Sequence, residues 1–195
     1  QILECIGALE KFLHNDPVKT PVLIKAALAH VQFETIHPFL DGNGRLGRLL
    51  ITFLLCAEGA LREPLLYLSL YFKQNRHRYY ELLQSVRMSG DWEMWLRFFL
   101  TGVAETAAQA ADTARGLMDL AAADEKRIQA IGKAAGSALR VHRVLQAQPL
   151  ISIAAASKRL HLSFPTVTTS LQHLEKLGVV RETTGGKYGR LYAYD

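Results

Sequence analysis

Two apolar segments with helical spacing flank the stretch HPFLDGNGRLGR, residues 37–48, and this juxtaposition constrains the chain more than any other feature. Before it, Ile24, Leu28, Val31 and Thr35 recur at steps of four, three and four, which predicts one buried face on a helix that stops near Ile36. Pro38 pushes His37 out of the helical region, so a loop must begin there. After Gly44, Leu46, Leu49, Leu50, Phe53 and Leu54 fit the spacing i, i+3, i+4, i+7, i+8, which predicts a buried helix closing near Gly59. A loop crowded with polar groups is thus set between two core helices.

The flanking segments are helical as well. A helix over roughly residues 2–14 leads into the turn NDPVKTP, where Thr20 is placed to cap the next helix and Pro21 to open it. Residues 65–84 read as one or two helices broken near Ser69, carrying the aromatic and basic run YFKQNRHRYY. Gly90 and Asp91 restart a long tract in which Trp92, Trp95, Leu96, Phe99 and Val103 form the inward stripe. Its alanine-rich continuation has few large side chains to bury. That suits a connecting helix or helix pair, with a second copy of the chain as the expected packing partner in a homodimer.

The final block changes character. Helix, short strand, helix, the turn HLS, a helix over residues 164–177 and two strands around Gly185-Gly186 give the order of a winged helix-turn-helix. Residues 1–139 hold 15 Lys and Arg against 15 Asp and Glu, whereas residues 140–195 hold 8 against 3, so the excess positive charge lies in this block. Such a bias is either an electrostatic footprint for nucleic acid or a solubilising surface. With Val167, Leu171 and Leu174 inward, Thr166, Thr169, Ser170 and Gln172 are predicted to face outward, and Lys158, Arg159, Lys187 and Arg190 to meet DNA phosphates. The outward face has no arginine or asparagine for a paired base contact, and winged helices also dock proteins, so both readings stand.

Composition narrows the setting. Hydrophobic content of 49% and charged content of 21% fit a folded soluble protein, and the longest uncharged apolar run, residues 49–57, is too short to span a bilayer. No membrane association is expected. The chain opens without Met, a basic leader or a cleavage site, as a piece of a longer protein without a targeting signal would. Cys5 and Cys56 lack CxxC spacing and read as two buried thiols, which favours a cytoplasmic location.

Three readings compete for residues 37–48. Gly42 to Gly47 match GxGxxG, but the dinucleotide motif requires a preceding strand, and a helix precedes it here. A tight interhelical turn with merely structural glycines is the plain alternative. The third is an anion site: the first N–H groups of the helix, Gly42 and Gly44 without a Cβ in the way, and Arg45 with Arg48 clamping two phosphoryl groups. A carboxylate at Asp41 beside phosphates calls for a cation such as Mg²⁺, and His37 can take a proton near neutral pH.

HPFLDGNGRLGR resembles the signature of the Fic (Fido) family, HxFx(D/E)GNGRxxR, at every defined position. The resemblance implies a mainly α fold: a Fic/Fido helical core lacking its N-terminal part (1–106), a connecting helical region (107–137) and a small α+β winged helix domain (138–195). It also implies transfer of AMP from ATP to a Ser, Thr or Tyr hydroxyl of a target protein, with pyrophosphate released. His37 would be the general base and Asp41 the Mg²⁺ ligand. Gly42, Asn43 and Gly44 would form the anion hole, Arg45 and Arg48 would hold the outer phosphates, and Leu46 and Gly47 would complete the nucleotide-binding run. Phe39 would pack into the core to hold the loop, and Tyr79 or Tyr80 would stack on adenine while the other packs in the bundle. His30 reads as a core histidine, and His77 and Arg78 as solvated. The family's inhibitory pattern (S/T)xxxE(G/N) is not completed by Thr101 with Glu105 or by Ser89 with Glu93, which places any inhibitory glutamate in the missing N-terminal part; residues 1–20 show no target-binding hairpin, and for want of that flap weak transfer is expected. The alternative is a DNA-binding regulator whose Fic site senses nucleotide or modifies the chain itself.

Overall fold

A computed structural model describes residues 2–15, 17–186 and 189–195, in two compact units, Gln1–Thr113 and Ala114–Asp195. The first holds α1 (Ile2–Leu13), α2 (Val22–Ile36), α3 (Asn43–Ala57), α4 (Leu68–Gln74), α5 (Arg76–Ser89) and the start of α6 (Trp92–Gln129).

Helix α2 is the central element, packed against α1, α3 and α5. It therefore buries residues around most of its circumference, Lys25, Ala26, Ala27, Ala29, His30, Val31 and Glu34, instead of the single predicted stripe. Ile24 and Leu28 are only half-buried, and Thr35 is exposed with its hydroxyl donating to Val31 O at 2.7 Å. Alanines let neighbours close on several sides, and the buried Lys25 finds partners: its Nζ lies 2.5 Å from Glu58 Oε1 and 3.3 Å from Leu13 O. It thereby ties the ends of α1 and α3. Pro21, not Thr20, is the N-cap of α2, without a side-chain cap.

Helix α3 corrects the expected face more sharply. Asn43, Gly47, Ile51, Leu54 and Leu55 are buried, while Leu46, Leu49 and Phe53 are exposed along an apolar groove of about 500 Å³ shared with Ile6 and Phe33. The reason is Gly47. A Cβ there would lie 2.7 Å from Glu34 Oε1 and 3.2 Å from His30 Nδ1, so close approach of α3 to α2 is possible only on the glycine side. Gly47→Ala is expected to cost ~1–3 kcal/mol in denaturant unfolding through overpacking. Gly7→Ala, on α1 with open space around it, serves as the control and should leave stability unchanged or raised. Equal midpoints for the two variants would contradict this packing.

The break in residues 65–84 falls at Asn75, whose side-chain amide donates to Tyr71 O at 3.0 Å, and not at Ser69. On α6 the inward positions are Trp95, Phe99, Gly102 and Thr106, while Trp92 is exposed. Trp95 donates its indole N–H to Ala27 O at 3.0 Å and joins Phe72, Tyr79 and Phe99 in an aromatic cluster around His30.

The second unit continues with the end of α6, α7 (Ala135–Ala147), β1 (Leu150–Ser152), α8 (Ile153–Leu160), α9 (Phe164–Lys176), β2 (Val180–Glu182) and β3 (Leu191–Tyr194). The sheet is antiparallel in the order β1-β3-β2, with Ile151 opposite Tyr192 and Arg181 opposite Ala193. Ser152 and Ser163 cap α8 and α9, accepting from Ala155 N at 3.1 Å and Thr166 N at 3.3 Å. His161 ends α8 at φ 51°. Val167, Leu171 and Leu174 are buried as expected, but so is Ser170, whose hydroxyl lies 2.9 Å from Ser137 Oγ on α7 and bonds Thr166 O. Beneath the sheet, Tyr194 donates to buried Asp124 at 3.0 Å and lies 3.1 Å from His142 Nε2. Burial and the Asp124 carboxylate push the Tyr194 hydroxyl up to about 12. No helix among the described residues is long and apolar enough to cross a membrane.

Candidate functional site

The loop between α2 and α3 is shaped at both ends by left-handed residues. His37 closes α2 at φ 49°, its N–H donating to Phe33 O at 3.0 Å, and its imidazole is exposed. Gly42 precedes α3 at φ 83°, a conformation that glycine adopts without cost. Between them Asn43 is buried and holds the loop by its backbone. Its Oδ1 accepts from Phe39 N at 3.0 Å and its Nδ2 donates to Phe39 O at 2.6 Å. The ring of Phe39 is 53% exposed and lies 6.5 Å from that of Phe33 on the rim of the apolar groove instead of in the core, so the hydrogen-bonded anchor of the loop is the asparagine.

With glycine at its N-cap, α3 has no side chain satisfying its first N–H groups. These open amides and the positive end of the helix make an anion site. Asp41 and Arg45 pair at 3.3 Å on the exposed rim, an interaction weak enough to be remade around a ligand. Among the described residues no group of three or more His, Cys, Asp or Glu side chains forms a metal cluster. The hard oxygen of Asp41 fits Mg²⁺ in the form that ion takes with one carboxylate and substrate phosphates.

One turn into α3, Arg48 lines a cavity of about 350 Å³ together with Ser69, Phe72, Lys73, Arg76, Tyr79 and Tyr80. Three cations and no carboxylate face this space. A Cβ at Gly44 would lie 3.2 Å from Arg48 Nη1, so the glycine leaves room for the guanidinium. Tyr79 is buried with its hydroxyl 2.9 Å from His30 Nε2, and burial raises its pKa well above the ordinary phenol range. Tyr80 is exposed and holds the Arg76 guanidinium 5.7 Å from its ring centroid. Of the two tyrosines, Tyr80 is therefore the one with a ring face open for stacking. Leu46 and Gly47 do not line this cavity: the first faces the apolar groove and the second packs on α2. His77 is solvated and pairs with Glu81 at 3.0 Å.

Sequence reasoning missed Lys73, Arg76, Glu34 and Arg87. The first two lay in a basic run whose facing residues no spacing identifies. Glu34 is 8% exposed, its Oε1 has no hydrogen-bond partner, and burial raises its pKa against the opposing pull of Arg48. Arg87 clamps the end of α2 from α5, donating to Glu34 O at 2.8 Å and Thr35 Oγ1 at 3.2 Å. Both contacts span more than fifty residues and leave no local signal.

His30 gives the site a pH signature. Burial lowers its pKa to about 4, with the Gly47 backbone opposing the shift. The unfolded chain takes up this proton first, near 6.5, so stability is fully present above that value and is lost as pH falls toward 4. The loss amounts to about 3 kcal/mol, and Glu34, shifted upward, offsets part of it. Urea midpoints are expected to drop between pH 7 and pH 5, and to drop less in His30→Gln; parallel curves for the two proteins would contradict the assignment.

On the second unit, Thr169 and Gln172 are exposed on α9, and Thr166 is half-buried with its hydroxyl 2.8 Å from Ser163 Oγ. Lys158 and Arg159 are exposed at the end of α8, Arg159 donating to Gln148 Oε1 at 3.1 Å. Arg190 is half-buried near Glu182, and Lys187 lies outside the described residues. Phe164, 56% exposed at the start of α9, was not anticipated.

Comparison with known proteins finds relatives for a part of each unit. Residues 1–55 match the Fic/DOC family model, and residues 137–181 match a winged helix-turn-helix DNA-binding model. The chain is 45% identical over 73 residues to protein adenylyltransferase Fic of Aedes aegypti, covering 37% of this chain and 13% of that protein. It is 40% identical over 91 residues to the protein of the same name from Drosophila erecta, covering 46% and 17%. The chain thus spans less than a fifth of the length of these relatives. A crystal structure of a Fic family protein from Desulfovibrio desulfuricans G20 superimposes with a TM-score of 0.54 at 24% identity, covering all of this chain and 55% of that one, a likeness of fold. Residues 1–55 are thus similar to the Fic/DOC family, and residues 137–181 to winged helix-turn-helix DNA-binding domains.

Proposed function

We propose that the first unit transfers AMP from ATP to a Ser, Thr or Tyr hydroxyl of a protein, and that the winged helix binds DNA. The observation that carries the first part is the uncapped start of α3 behind Gly42, in the same helix that presents Arg48 to a cationic cavity beside Tyr80. A triphosphate laid on that helix start meets backbone N–H groups and guanidinium side chains. The adenine has the Tyr80 face to stack on.

In this reading the α3 amides and Arg45 orient the phosphates, and Arg48 with Lys73 or Arg76 balances the remaining charge. Mg²⁺, held by Asp41 and the phosphates, supplies charge neutralisation when bound. Exposed His37 takes the proton of the incoming hydroxyl, whose oxygen forms a bond to the α-phosphorus as the bond to pyrophosphate breaks. The carbonyl and amide of Phe39, fixed by Asn43, keep His37 in place relative to α3. For the second unit, the winged helix-turn-helix match and the positive balance of residues 140–195 support DNA as the partner.

Parallel incubations with ATP labelled at the α- or the γ-phosphorus test the transfer. Label moving to protein from the α position alone supports it. Transfer from the γ position, or from neither, argues against it.

A further inference from the structure

The chemistry exposed on α9 is unusual for a base-reading helix in having no guanine-reading cation. Val167, Ser170, Leu171 and Leu174 turn inward. Pro165, Thr168, Thr169 and Gln172 follow one another at +3, +4 and +7 and form the outward stripe, with exposed Phe164 beside its start. Two hydroxyls along this stretch are engaged locally: Thr168 Oγ1 donates to Phe164 O at 2.9 Å, and Thr166 Oγ1 shares a hydrogen bond with Ser163 at 2.8 Å. The Thr168 hydroxyl proton is thereby committed, while its methyl group and that of exposed Thr169 remain available to a partner. Among the described residues, Gln172 makes no hydrogen bond within the chain, and it is the one side-chain amide on the stripe. The basic residues of α9, His173 and Lys176, lie in its last turn, at the far end of the helix.

Base pairs differ in what they ask of such a surface. Guanine is read chiefly by Arg or Lys at O6 and N7, adenine by the paired donor and acceptor of Asn or Gln, and thymine by apolar contact with its C5-methyl group. Resting on the DNA-binding reading above, we infer that α9 reads an A·T-rich major groove. Gln172 donates to adenine N7 and accepts from its N6 amine, while Phe164, Pro165 and the Thr168 and Thr169 methyls pack on thymine methyls. Lys158 and Arg159 supply phosphate contacts that position the helix without choosing bases.

The test is selection of bound duplexes from a random pool by the full chain, followed by competition with chemically altered copies of the selected site. The expected result is an A·T-rich consensus. Gln172→Ala should relax one adenine position by roughly 5- to 100-fold in relative affinity while other positions hold. Deoxyuridine in place of thymidine, which removes only the methyl, and 7-deaza-adenine, which removes only N7, should each weaken binding to the native chain. A G·C-rich consensus, or binding without base preference, would overturn the inference and leave DNA binding standing. An A·T preference that survives both altered bases would also overturn it, because the duplex would then be read by its shape. No binding to any pool at low salt would remove the DNA-binding reading itself.

Discussion

Replacing His37 is expected to lower AMP transfer by ~10²–10⁴-fold while ATP binding persists, since a positioned base contributes about that much to rate and little to ground-state affinity. The choice of substitution matters because His37 sits at φ 49°, where alanine is strained. Asparagine tolerates the left-handed conformation and cannot accept a proton near neutral pH, so His37→Asn separates chemistry from loop geometry. Both variants should lose transfer alike, with unchanged unfolding midpoints for His37→Asn. Arg48 gives the opposite signature. Arg48→Ala removes a cation from the cavity wall and should raise the ATP dissociation constant. Transfer by His37→Asn close to that of the unaltered chain would exclude the imidazole as base.

Trp95→Ala is expected to destabilise the first unit by ~3–5 kcal/mol, a large share of the ~5–15 kcal/mol available to a typical domain. Trp95 is fully buried, and it fastens α6 to the middle of α2 through its bond to Ala27 O. Removing it empties the space beside His30, Phe72 and Tyr79, the residues under the cavity. The two tryptophans of the chain are Trp92 and Trp95, so fluorescence of the remaining Trp92 follows the first unit alone. At a slope of ~1–3 kcal/mol per molar urea the midpoint should fall by more than about 1 M. A shift of a few tenths of a molar would show that α2 is not held from this side.

The order of elements was legible in the sequence because breaks are written in local chemistry. His37-Pro38, Gly42, Gly90 and the capping serines at 152 and 163 fall at or next to helix ends in the structure. The strands on either side of Gly185 pair antiparallel, as the Gly185-Gly186 turn signal implies. The buried faces were much less legible. Periodicity weighs large apolar residues, whereas α3 meets α2 at Gly47 beside His30 and Glu34, leaving Leu46 and Leu49 outside. The candidate site divides the same way. The loop residues lie in one stretch, but Lys73, Arg76 and Arg87 come from α4 and α5 and reach it only after the bundle forms. Asn43, grouped by the sequence with the anion-binding glycines, has its side chain occupied in bracing Phe39.

The most direct measurement is a titration of the ¹⁵N-labelled chain with ATP and Mg²⁺, following the backbone amides by NMR. If a triphosphate rests on the start of α3, the Gly44 and Arg45 amides shift furthest, saturably, and the response weakens in Arg48→Ala but not in His37→Asn. Should those two resonances stay fixed while ATP moves others, the phosphates bind elsewhere and the account of the site is wrong.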